Sequence, residues 1–135
     1  FDVESILVPQ PVSFYVVAPK LPDLFAGKML ALLERNWQHR VKGRDWYDLV
    51  WYVSRAVPVR IQHLENRMRQ NGQLSDDQRF GRDQLMLRLH ERLENLDIEK
   101  AKEDVREFIQ DQRRLEIWSK EFFSDIFAKI QVTPA

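Results

Sequence analysis

From Pro22 onward the apolar residues recur every three or four positions, the spacing of helices that each bury one face. Pro22 and Asp23 suit a first helical turn, and this helix is read to about Asn36. A second helix starts at Gly43 or Arg44 and runs to about Ala56, with Trp46, Leu49, Val50 and Val53 on its apolar side. Pro58 permits a new start, after which Ile61, Leu64 and Met68 form one stripe that Gly72 stops. Ser75, Asp76 and Asp77 are capping material. Leu85, Leu89, Leu93 and Leu96 then fall in line. Asp97 caps a helix with Ile98, Ala101, Val105 and Phe108 inward, and a last helix buries Leu115, Trp118, Phe122, Ile126, Phe127 and Ile130. Residues 1–20 differ. "SILV" and "VSFYVV" are β-branched and aromatic and flank Pro9-Gln10-Pro11, so they predict two short strands at the edge of a sheet. The pattern gives a mainly α chain: a strand remnant over 1–20, then a helical domain over 21–135 with five or six helices.

Composition narrows the classes. The 135 residues suit about one domain. Hydrophobic residues make up 44 % and charged residues 31 %, as in a folded soluble chain rather than a disordered one. Lys plus Arg and Asp plus Glu stand at 21 each, which argues against gripping nucleic acid by bulk charge. The absence of cysteine removes disulfides and thiolate metal sites. No apolar run approaches the roughly 20 residues of a membrane span, so no membrane partner is expected.

Three places carry candidate chemistry. Lys28, in "LFAGKMLALLER", is the only charge between Leu24 and Leu33. Beside the small residues Gly27 and Ala31 it can reach an anion such as a phosphate, or it can snorkel at the edge of the apolar stripe. In "KGRDWYDLVWY", Asp45 and Asp48 lie three apart and share a helical face that Tyr52 and Arg55 continue. The helix dipole explains an acid in the first turn; Asp48 lies deeper, and the pair can also bind a cation or accept a proton. The loop "NWQHRVKGR" sets His39, Arg40, Lys42 and Arg44 near Trp37, which suits a nucleotide or RNA, or a solvated basic loop. His63 and His90 receive no role, and no metal cluster is read from the sequence.

Together, "LFAGKMLALLER", the basic loop and "KGRDWYDLVWY" resemble the AbiEii/AbiGii family of nucleotidyltransferase toxins from abortive-infection and toxin–antitoxin systems. That family carries a helix of A-x-K-L-x-A-L-x-x-R character, matched here by Lys28, Ala31, Leu32 or Leu33, and Arg35. A spacer and K-x-R-D-x-Y-D-L follow, matched by Lys42, Arg44, Asp45, Tyr47, Asp48 and Leu49. Met29 replaces the usual Leu. The resemblance implies α+β ancestry, with residues 1–20 a remnant of the nucleotidyltransferase core. Lys28 would hold the phosphates of a nucleoside triphosphate, and Asp48 with Asp45 would complete the catalytic face. Arg35, Lys42 and Arg44 would bind substrate or order the acids. It also implies a magnesium-dependent transfer to a tRNA or protein acceptor, a cognate antitoxin and a cytoplasmic setting. The family's Gly-Ser…Asp-x-Asp motif, expected to hold the metal, is absent, since none of the four glycines precedes a serine. The chain, which also opens without Met, is therefore expected to be the C-terminal part of such an enzyme and inactive alone, with the main magnesium ligands elsewhere. The alternative is a non-catalytic helical module that binds a protein such as an antitoxin. If the first reading holds, Lys28, Arg35, Asp45 and Asp48 converge on one concave face beside the strands.

Overall fold

The computed structural model describes residues 3–10, 12–34 and 42–134, with side chains from Lys20 onward. The architecture is mainly helical. Ahead of the helices the backbone pairs as two antiparallel strands, β1 (Val3–Gln10) and β2 (Val12–Pro19), with Val3 opposite Pro19 and Val8 opposite Phe14. Seven helices follow among the described residues: α1 (Leu21–Glu34), α2 (Gly43–Ser54), α3 (Ile61–Gln70), α4 (Arg82–Glu94), α5 (Ile98–Arg106), α6 (Arg113–Glu116) and α7 (Lys120–Ala128). That exceeds the five or six read from periodicity, because the final apolar stretch is broken. Ser119 takes extended backbone and accepts a hydrogen bond from Phe122 N–H at 3.0 Å. This N-cap starts α7 and separates it from the single turn of α6.

α1 is the hub, packing against α2, α3 and α4; α2 also packs on α5, and α4 on α7. The leucine stripes do as their spacing predicts: Leu64, Met68, Leu85 and Leu89 are fully buried, and Leu93 and Leu96 nearly so. Trp46 of α2 enters an aromatic cluster, edge-on to Phe123 at 5.1 Å and tilted to Phe127 at 6.2 Å, while Trp118 is also edge-on to Phe123 at 5.1 Å. Edge-to-face packing at such distances adds to area burial.

Two local features fix how α2 sits. Gly43 opens the helix against the α5 backbone. A Cβ there would collide with the Ala101 carbonyl oxygen and lie 2.9 Å from its carbon, so only glycine permits this approach. At the far end Ala56 has φ 56, a left-handed residue that stops the helix two positions earlier than the sequence implied.

Other ends are tied across the fold. Arg92 of α4 donates to the Leu33 carbonyl from Nε at 3.0 Å and also from Nη2, serving the C-terminal turn of α1. Burial, then the neighbouring Arg88, pull its guanidinium below the usual arginine range, with Glu91 acting against them. Asp97 caps α5 as expected, accepting from Lys100 N–H at 3.1 Å. Ser75 and Asp77 instead hydrogen-bond each other inside the loop before α4, at 2.5 Å, and do not cap it. Buried Glu65 pins that loop by accepting Phe80 N–H at 2.7 Å. After α7 the chain returns to Val59, whose N–H donates to Gln131 O at 2.8 Å and whose carbonyl accepts Thr133 N–H at 2.9 Å. Arg82 adds bonds to the Ala128 and Ile130 carbonyls, at 3.2 Å each.

Phe108 overturns its expected place. It is 59 % exposed, because α5 ends at Arg106 and the helical period stops before reaching it. Phe122 is half-buried, and its neighbour Phe123 takes the core position instead.

Candidate active site

The site is built where α1 and α2 pack together. Along α1, Phe25, Ala26, Met29, Leu32 and Leu33 are buried, which turns position 28 outward at the edge of the stripe. Along α2, Trp46 and Leu49 are buried while Asp48 is half-exposed. The two helices bring Lys28 Nζ to 3.2 Å from Asp48 Oδ2, with side chains 51 % and 33 % exposed. Asp45 lies one turn before Asp48 and is buried. It lines the same crevice as Lys28, together with Phe25, Met29, Leu32 and Leu49. Asp45 and Asp48, 17 and 20 residues after Lys28 in sequence, therefore share one seam with it.

The remaining sequence candidates are placed differently. Arg44 is exposed on the first turn of α2, and its guanidinium lies 3.7 Å from the centroid of the Phe108 ring, a cation–π contact. Lys42 precedes α2, and its carbonyl accepts Asp45 N–H at 3.0 Å. Arg35 lies outside the described residues, as do Trp37, His39 and Arg40 of the basic loop. Gly27 has open space where a Cβ would stand, consistent with an accessible backbone beside Lys28.

Two features were not assigned from sequence. Tyr52 continues the Asp45–Asp48 face, is 8 % exposed, and stacks on Phe25 with ring centroids 4.6 Å apart and planes within 6°. Burial pushes its phenol above the ordinary value; the nearby Lys28 pulls it down and Asp48 pushes it up. Its helical register with Asp48 was visible, but the stack on α1 is tertiary and has no local signal. The second feature is buried Asp23, held by Arg60 Nε at 2.8 Å and His63 Nδ1 at 3.1 Å. It joins the start of α1 to α3. Nothing in either segment marks the other as its partner 40 residues away.

Among the described residues no three His, Asp or Glu side chains gather closely enough to hold a metal ion. Asp48 is already paired with an ammonium.

The seam thus sets one half-open ammonium beside two carboxylates, one of them buried: the first can meet an anion, the others can accept a proton or a cation. The chain belongs to the AbiEii nucleotidyl transferase toxin family: the family profile, described as the nucleotidyl transferase AbiEii toxin of a type IV toxin–antitoxin system, matches residues 2–127. Neither a curated protein nor a solved structure matched the chain. Among the described residues no helix is long and apolar enough to cross a membrane.

Proposed function

We propose that the α1–α2 seam is the phosphate-binding part of a nucleotidyltransferase active site, with β1 and β2 as the edge of that enzyme's sheet. The observation that carries this is the 3.2 Å approach of Lys28 to Asp48. It joins the lysine of one family-like motif to an aspartate of the other. An ammonium half open to solvent has three donors, enough to serve a carboxylate and a phosphate in turn. In the reaction, an acceptor hydroxyl oxygen would bond to the α-phosphorus, its bond to the pyrophosphate oxygen would break, and pyrophosphate would depart. Lys28 would hold the triphosphate, and Asp48, with Asp45 behind it, would position the acceptor or take its proton. Arg35, Lys42 and Arg44 would contact the acceptor, an RNA such as tRNA or a protein. Magnesium, when bound, would offset the charge of the phosphates, its main ligands belonging to the Gly-Ser…Asp-x-Asp motif that this sequence lacks. On this reading the 135-residue chain alone transfers little nucleotide.

Calorimetric titration with each of the four ribonucleoside triphosphates tests the reading. At least one should bind, and Lys28→Ala should weaken it more than tenfold while leaving the fold intact. Equal binding by wild type and Lys28→Ala would sink the proposal. A second reading, a helical module that docks a protein such as an antitoxin, draws on Leu21 and Leu24, 42 % and 40 % exposed on α1. Under it, Lys28→Ala leaves antitoxin binding unchanged and Leu24→Ser weakens it.

A further inference from the structure

Tyr52 sits inside the site, and the chemistry above gives it no role. Phe25, its stacking partner, lies one turn before Lys28 on α1; Asp48 lies one turn before Tyr52 on α2. The stacked rings thus bridge the two helices one turn from the ion pair. The phenol lies near both charged groups, and at neutral pH it carries its proton, as tyrosine ordinarily does. It can therefore donate a hydrogen bond and does not act as a base.

Phosphate binding creates a problem that this geometry addresses. A phosphate that draws the Lys28 ammonium away leaves Asp48 without its counter-charge, partly desolvated. A carboxylate in that position is free to rotate toward water. We infer that Tyr52 is a positioning residue that donates its hydroxyl hydrogen to Asp48 when a phosphate takes Lys28, keeping the carboxylate in place. The ring is already fixed by Phe25, so little side-chain freedom is lost at that moment. The role rests on Lys28 being the phosphate-binding cation.

The test uses the 135-residue chain with inorganic tripolyphosphate as probe. Tyr52→Phe keeps the stack, so its melting temperature should stay close to wild type while the Kd for tripolyphosphate rises about three- to tenfold, the range for one ordinary net hydrogen bond at a partly open site. The Tyr52 hydroxyl is followed by NMR of ring-labelled tyrosine, its signal identified by its loss in Tyr52→Phe. On saturation with tripolyphosphate at neutral pH its ring resonances should move as the hydroxyl takes up the bond to Asp48. In Asp48→Asn that movement should largely vanish, which separates a specific partner exchange from the general field of an added anion. Wild-type affinity in Tyr52→Phe, or unmoved ring resonances, overturns the inference while leaving the phosphate site standing. If wild type fails to bind tripolyphosphate, or Lys28→Ala binds as well as wild type, the phosphate site falls and the inference with it.

Discussion

Lys28 and Asp48 form a solvent-open ion pair, and such pairs contribute at most about 1 kcal/mol to stability. Lys28→Ala and Asp48→Asn should therefore each shift a urea midpoint only slightly, even where ligand binding collapses. A large loss of stability in either variant would mark the pair as structural. Gly43 behaves in the opposite way. Its missing side chain lets α2 rest on the Ala101 carbonyl, and the obstacle is backbone, which cannot swing aside. Gly43→Ala should cost about 1–3 kcal/mol by overpacking, read as a lower urea midpoint with an unchanged slope. Tyr52 adds a pH dependence. Its folded pKa is raised above the ordinary 10.0, so the stability it carries is fully present below that value and is lost as pH rises through the higher folded one. Between pH 9 and 11 wild type should lose more stability than Tyr52→Phe; parallel losses would show that the phenol is not buried in solution. At this scale the sequence singled out charges in unusual contexts and was silent about pairing across helices. Lys28 and Asp48 each stood out as a charge in an apolar context, whereas Asp23, Arg60 and His63 resembled ordinary helix-end residues until the fold brought them together.

Among the elements, the long stripes were legible because their periodicity is the cause of their burial. Leu85, Leu89 and Leu93 need only face one way to form the inner side of α4. The reading failed where a helix stopped. The period carried Phe108 inward past the real end of α5, and it ran through Ser119, whose hydroxyl fits an N-cap better than a helix interior. Both caps offer a direct check. Asp97→Ala and Ser119→Ala should each destabilise by about 0.5–2 kcal/mol, measured by urea unfolding, because each exposes a helix N–H that the side chain now accepts. If Ser119→Ala were neutral, α6 and α7 would be better regarded as one bent helix.

For the molecule as a whole, the hub position of α1 means that the site and the core share one element. The face carrying Lys28 is steered by Phe25, Met29 and Leu32 behind it, and its two ends are anchored by Asp23 to α3 and by the Leu33 carbonyl to Arg92 of α4. The sequence revealed the mainly helical class and the motif pair, but not these anchors, which are long-range. It also did not show that the closing segment doubles back to Val59. Removing residues 130–135 strips away buried Ile130 and the bonds to Val59. That should cost roughly 3 kcal/mol or more by apolar burial and unpaired backbone groups, seen as a lowered melting temperature.

The link between Val59 and residues 131–133 also has a temporal side. Chains emerge from the ribosome N-terminus first, and helices with local contacts form within microseconds, far faster than residues are added. α1, α2 and α3 can therefore be in place while the backbone at Val59 still waits for a strand partner more than 70 residues downstream. During that interval the Val59 N–H and carbonyl lack their partners at residues 131 and 133. This corner therefore closes last, and a chain halted before Gln131 should show faster amide exchange at Val59 than the finished one.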